Sequence, residues 1–189
     1  MNEKRTTHTL GKTCGLLASV LGSLLIATGA HAAGDKTAYD HAKAAAKTSY
    51  DAAVKQCDTM AGNAKDVCTL EAKSERVKME SQAKVDYEGT PKAREQAADD
   101  MAKADYNVAK EKCDDLSGNP KDVCVKQAKA NYDKVKSDAK ASRKVTEARK
   151  DAAEDRNDAN YKVAAEKCDA MAGDAKTACL NDAKSAYHQ

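Results

Sequence analysis

The sequence has no tryptophan, no phenylalanine and only two prolines. Beyond residue 32 it has three leucines, ten valines and no isoleucine, which is about 8% of those 157 residues. Compact folding becomes doubtful when large aliphatic and phenylalanine residues fall below about 20%, so a thick globular core is excluded. Disorder is the rival interpretation, but the residues in excess are Ala, Lys, Glu, Gln and Arg, which favour helix. We therefore expect an all-α protein, extended or bundle-like, without a globular core.

The first residues have the pattern of an export signal. Three basic residues precede the uncharged apolar run Leu16 to Ala27, and the small residues of "AHA" end at Ala32. A run of about a dozen residues is too short to span a bilayer of roughly 30 Å. We predict a signal peptide over 1–32 that is cut near Ala32/Ala33. The protein would then reach the periplasm and keep no stable membrane anchor.

The predicted mature chain also lacks an excess of either charge. Without the signal, 29 basic residues balance 29 acidic ones, whereas the full chain carries a formal charge of +2. A nucleic-acid-binding protein needs a basic face to displace counterions, but here Lys and Asp alternate along the chain. Nucleic acid is therefore excluded as a partner.

Cysteine pairs mark a repeat of about 55 residues. "CDTMAGNAKDVC", "CDDLSGNPKDVC" and "CDAMAGDAKTAC" each place ten residues between two cysteines. The pairs are Cys57 with Cys68, Cys113 with Cys124, and Cys168 with Cys179. We divide the chain after the signal into three repeats, over 33–89, 90–147 and a truncated 148–189.

Glycine and proline predict where the helices end. A left-handed glycine closes many helices, and a following Asn, Asp or Thr can accept hydrogen bonds from the next helix. The helix junctions predicted in this way are Gly62, Gly89, Gly118 and Gly173. They predict helices over Asp35–Ala61, Ala64–Glu88, Pro91–Ser117, Pro120–Ala172 and Ala175–Tyr187, the fourth being continuous or mildly bent.

Tyrosine positions indicate antiparallel hairpins. Facing residues of a hairpin have position numbers with a constant sum, and each cysteine pair fixes that sum. Four residue pairs have position sums within one of the sum for their cysteine pair, so we expect them to lie opposite each other and to pack between the helices. They are Tyr39 with Tyr87, Tyr50 with Arg76, Tyr106 with Tyr132, and Tyr161 with Tyr187. A cation can stack on a ring in the Tyr50 pair.

The cysteine pairs allow three chemistries, of which a disulfide fits best. Helices packed in a hairpin can bring Cα atoms within the 4.4 to 6.8 Å that a disulfide needs. Structural zinc needs four ligands, usually with closely spaced cysteines, and thioredoxin-like couples use Cys-x-x-Cys. Metal binding and redox or thiol-buffering chemistry stay open as alternatives.

An acidic residue follows the first cysteine of every repeat, at Asp58, Asp114 and Asp169. We expect salt bridges across the turn to Lys65, Lys121 and Lys176, with a weak divalent-cation site as the alternative. Neither histidine of the predicted mature chain, His41 or His188, lies in a motif with a nucleophile, and no Gly-rich phosphate loop occurs. The sequence therefore predicts a protein that is not an enzyme and has no cofactor.

The repeat "AKADYNVAKEKCDDLSGNPKDVCVKQAKA" and the segment "GTPKAR" resemble small exported Ala/Lys-rich proteins of Gram-negative bacteria. These carry tandem Cys-x10-Cys helical repeats and are often labelled TolA-like or cell-envelope biogenesis proteins. The resemblance implies a periplasmic location. We expect a structural or interaction protein that binds another envelope protein or itself through Ala-rich helix faces, with stress-related thiol or metal buffering as the alternative. Alanine faces make a lipid-surface binder the weaker hypothesis.

Overall fold

The computed structural model describes residues 34–189, and the predicted signal peptide and its cleavage point lie outside these residues. Five α-helices and no strand make up the described part of the chain, which confirms the all-α prediction. The helices are α1 Lys36–Cys57, α2 Gly62–Glu88, α3 Pro91–Lys112, α4 Gly118–Cys168 and α5 Gly173–Tyr187. A single 3₁₀ turn, Cys113–Asp115, follows α3.

The helices form a row in which each packs on the next one along the chain. Contacts between α2 and α3 run from Glu71 with Lys112 near the cysteines to Lys84 with Gln96 near the opposite end, so the two helices are antiparallel. The first and second cysteine turns therefore lie at the same end of the row.

Alanine and cysteine fill nearly all of the interior. The buried residues are Ala46, Cys57, Ala72, Ser74, Ser81, Ala83, Ala93, Ala97, Ala102, Cys113, Ala128, Cys168 and Ala183. Such small side chains let helix axes approach to the short end of the usual 8–10 Å range. The helices of the row are thus held together by a thin layer of alanine side chains, as the scarcity of large aliphatic residues requires.

The helix boundaries at the cysteine turns differ from the glycine-based prediction. Each preceding helix ends at or beside the first cysteine, five or six residues before the glycine. A backbone hydrogen bond then closes the turn, from the amide of Met60, Leu116 or Met171 to the carbonyl of Cys57, Cys113 or Cys168. The chain must leave the helix at the first cysteine to reverse direction within the disulfide loop.

A left-handed helix end was predicted for all four junction glycines, but of these only Gly89 ends a helix in that conformation. Gly62, Gly118 and Gly173 also have φ near +57°, but each stands at the start of the following helix. No side-chain cap bond is found at those three starts, whereas the Thr90 hydroxyl accepts from the Ala93 amide. The expected capping by Asn63, Asn119 and Asp174 is therefore wrong.

Helix α4 is continuous over 51 residues, or about 76 Å. It lies against α3 as far as Thr146, and α5 reaches back along it to Asp158. Eight of the ten residues 148–157 are exposed. The predicted boundary between the second and third repeats falls inside this single helix, which carries the third cysteine turn to the end of the molecule opposite the first two.

Candidate functional site

Each cysteine pair forms a disulfide that closes a hairpin. The Cα atoms are 5.6 Å apart in Cys57–Cys68, 5.8 Å in Cys113–Cys124 and 5.7 Å in Cys168–Cys179. All three pairings are those predicted from the sequence. Because disulfides form and persist in oxidising surroundings, these bridges are consistent with a compartment outside the cytoplasm.

A salt bridge spans every cysteine turn. The Lys Nζ to Asp Oδ1 distances are 3.0 Å for Lys65–Asp58, 3.1 Å for Lys121–Asp114 and 2.8 Å for Lys176–Asp169. This confirms the predicted partners of the three aspartates. Side chains at least 40% exposed form such pairs at a gain of only about 0 to 1 kcal/mol, so the three pairs contribute little to stability.

An exposed apolar residue stands three positions after the first cysteine of each repeat. Met60, Leu116 and Met171 are 46%, 43% and 48% exposed. Together with the disulfide and the salt bridge, they define what we call the hairpin tip. Two tips point one way and the third points the other, so the molecule presents apolar contact points at both ends of α4.

The predicted aromatic pairs are formed in the first two hairpins. The ring centroids are 5.1 Å apart in Tyr39–Tyr87 and 5.9 Å apart in Tyr106–Tyr132. Arg76 lies over the Tyr50 ring with its Cζ 5.5 Å from the centroid. Pairs of this kind contribute roughly 0.5–1.5 kcal/mol beyond the area that they bury.

The third aromatic pair differs, because no ring contact joins Tyr161 and Tyr187 among residues 34–189. Tyr187 is the last residue of α5, and His188 turns the chain into the left-handed conformation. The Gln189 side chain instead donates to Asp158 Oδ1 at 2.7 Å.

Polar contacts between hairpins were not anticipated from the sequence. Ser74 Oγ donates to Asp105 Oδ1 at 2.7 Å, and Lys112 Nζ lies 2.6 Å from Glu71 Oε1. Lys78 bonds both Glu75 and Asp105 at 3.0 Å, and these two carboxylates raise the pKa of its ammonium group. These contacts join α2 of the first hairpin to α3 of the second.

A further ionic contact joins α3 and α4 at the end of the row. Arg143 pairs with Glu95 of α3 and with Glu147 one turn along its own helix. Hydrogen bonding to the guanidinium lowers the pKa of the Glu147 carboxyl. The hydroxyl of Tyr132 also donates to Asp99 Oδ1 at 2.9 Å. The repeat gave no signal for the Arg143 contact, because Tyr87 stands at the position of Arg143 in the first repeat.

A groove of about 440 Å³ runs along α2 between α1 and α3. Leu70, Ser74, Val77 and Ser81 line it at spacings of four, three and four residues, and lysines such as Lys43 and Lys103 also line it. These residues lie on one face of α2, where Ser74 and Ser81 are already buried and Leu70 and Val77 supply the apolar contacts. The groove is open and mixed in polarity, which suits a peptide or helix better than an enclosed small molecule.

The described residues form neither a metal-binding cluster nor a membrane-spanning helix. Within residues 34–189, no three His, Cys, Asp or Glu side chains lie close enough together to hold a metal ion. None of the helices described by the structure is both long and apolar enough to cross a membrane.

Comparison of the chain with protein families, curated proteins and solved structures finds no match.

Proposed function

We propose that this protein is a non-enzymatic structural or interaction protein of the bacterial cell envelope, located in the periplasm. The observation that carries the proposal is the uninterrupted helix α4, which holds disulfide-closed tips at its two ends about 76 Å apart. A continuous helix with a disulfide at each end resists shortening, so it can set the distance between two bound partners.

The contact surfaces would be the hairpin tips and the groove on α2. Each tip offers one exposed apolar side chain beside a fixed ion pair. The groove offers Leu70 and Val77 along one helix face. Helix-in-groove recognition reads apolar anchors at this type of spacing, so a helical segment of another envelope protein is the kind of partner proposed.

The proposal is tested by photo-crosslinking in cells. A crosslinking residue is placed at Met60 and Met171, with Ala152 in the exposed central part of α4 as the matched control. We expect specific adducts at both tips and none at Ala152. Absence of adducts at both tips and also at Val77 in the groove would overturn the proposal.

Two further measurements separate this function from its rivals. The oxidised protein should be released with the periplasmic fraction, and recovery with free thiols in the cytoplasm would contradict the location. Titration of the oxidised protein with Zn²⁺ or Cu²⁺ should give no binding at micromolar concentration. Tight binding to the disulfide form would favour metal buffering.

A further inference from the structure

The third hairpin repeats, without a partner, the interface that joins the first hairpin to the second. Three residues after the second cysteine, α2 reads "EAKS" over 71–74 and α5 reads "DAKS" over 182–185. In α2, the first and last of these residues bind α3, through Glu71 to Lys112 and Ser74 to Asp105. The corresponding residues of α5 are Asp182 and Ser185, and both are exposed.

The other half of the interface recurs at the C-terminal end of α4. Lys112 of α3 and Lys167 of α4 both directly precede the first cysteine of a repeat. Five residues before that cysteine stand Val108 in α3 and Val163 in α4. Val108 is partly buried, whereas Val163 is 56% exposed beside Lys167 in a shallow depression. The valine at this position is thus partly buried in the second repeat and exposed in the third.

The three hairpins have the same local geometry, so equivalent residues face equivalent directions. Their disulfides have Cα separations of 5.6, 5.8 and 5.7 Å, and their turn salt bridges measure 3.0, 3.1 and 2.8 Å. Asp182 and Lys167 therefore lie on outer faces of the third hairpin. Within residues 34–189, neither side chain forms an ion pair.

Charge complementarity indicates which helix would bind to α5. A partner must supply a cation opposite Asp182 and a hydrogen-bonding group opposite Ser185. In α1, the residue equivalent to Lys112 is Gln56, which carries no charge. In the C-terminal part of α4, the residue equivalent to Lys112 is Lys167, and the residue equivalent to Asp105 is Asn160. Within its own chain this part of α4 is bridged to a different face of α5, so the matching surface must come from a second copy.

We propose that two copies of this protein associate through their third hairpins. The outer face of α5 in one copy packs on the C-terminal part of α4 in the other, so that Asp182 meets Lys167 and the second copy covers Val163. A two-fold arrangement makes the same contact twice, because each copy offers both halves. The inference deepens the proposed function and rests on it, since it names a second copy as one partner of the interaction protein.

The test uses charge reversal in the full, oxidised protein. Asp182→Lys and Lys167→Asp each replace two attractions by two repulsions, while the double variant restores opposite charges. Sedimentation velocity at low ionic strength should show a dimer of the wild type. Each single variant should weaken association about tenfold or more, since exposed pairs contribute up to about 1 kcal/mol each. The double variant, and a mixture of the two single variants, should recover it.

The matched control is Asp151→Lys, which makes the same charge change on the exposed central part of α4. It should leave association unchanged, and circular dichroism should show the same helix content in every variant. A wild type that stays monomeric up to about 1 mM would overturn the inference. Equal weakening by Asp151→Lys, or no recovery in the mixture, would also overturn it. Crosslinking of a different protein at the tips would still support the proposed function, so the two failures are distinguishable.

Discussion

Removal of the third disulfide tests how this protein stays folded with almost no core. In Cys168→Ser with Cys179→Ser, the loop between the two positions is no longer closed. The chain-entropy relation for a loop of this length gives a loss of about 3 kcal/mol. Helix α5 has little to offset that loss, because it has only 15 residues. Within residues 34–189 it packs mainly on α4, and Ala183 is its one buried residue. Isolated helices of this length are marginal in water.

The variant should therefore open locally at α5 while the rest of the row stays folded. Amide hydrogen exchange over residues 173–187 should accelerate by about two orders of magnitude, the factor that corresponds to 3 kcal/mol. If α5 melts fully, the helical signal at 222 nm should fall by about a tenth, since α5 supplies 15 of the residues in helices. Hydrogen exchange should be measured at low protein concentration, where the proposed dimer does not form and so cannot protect α5.

The matched control is Cys57→Ser with Cys68→Ser. Helix α1 is also held by the ring contact of Tyr39 with Tyr87 and by Arg76 over Tyr50. Exchange in α1 should therefore increase near the tip and little elsewhere. Unchanged exchange in α5 of the first variant, or equal loss of α1 in the control, would refute the argument that the third hairpin depends on its bridge.

Three further substitutions test single contacts, each against the wild type by thermal or urea unfolding. Tyr132→Phe removes the hydrogen bond to Asp99 and keeps the ring contact, so it should cost about 1 kcal/mol. Gly62→Ala places a side chain at φ +56° with no atom within 4 Å of the new Cβ, and the backbone alone should cost roughly 1–2 kcal/mol. Arg143→Met should lower the melting temperature at neutral pH. Because Arg143 lowers the pKa of Glu147 in the folded state, its stabilising effect is present at pH above the ordinary carboxyl pKa of about 4 and is lost as pH falls through the lowered value.

Each of these expectations can fail separately. A Tyr132→Phe variant as stable as the wild type would mean that solvent replaces the bond to Asp99 at no cost. A stable Gly62→Ala variant would mean that the turn can relax to a negative φ. A stability difference for Arg143→Met that stays constant from pH 7 down to about 2 would show that packing, and not the charge of Glu147, accounts for it.

The sequence alone determined the helical class, the three disulfide pairs and the salt bridge across each turn. These features are local or repeated: ten residues between two cysteines, with a glycine among them, favour a tight hairpin, and the repetition of Asp and Lys about one turn indicates which charges meet. The tyrosine pairing followed from the same position sums and holds in the first two hairpins. It does not extend to Tyr161 and Tyr187, although both residues lie within helices.

The tertiary structure decided how the hairpins relate to one another. The contacts of Ser74 with Asp105 and of Arg143 with Glu95 join residues 31 and 48 positions apart. Helices lined by alanine can pack at several rotations with similar burial, so their pattern did not select the faces that meet. The structure also showed that the helix before each cysteine turn ends at or beside the first cysteine, and that α4 runs without a break. The separation of the tips and the exposed face of the third hairpin follow from that continuity, which the absence of Gly and Pro permitted without requiring it.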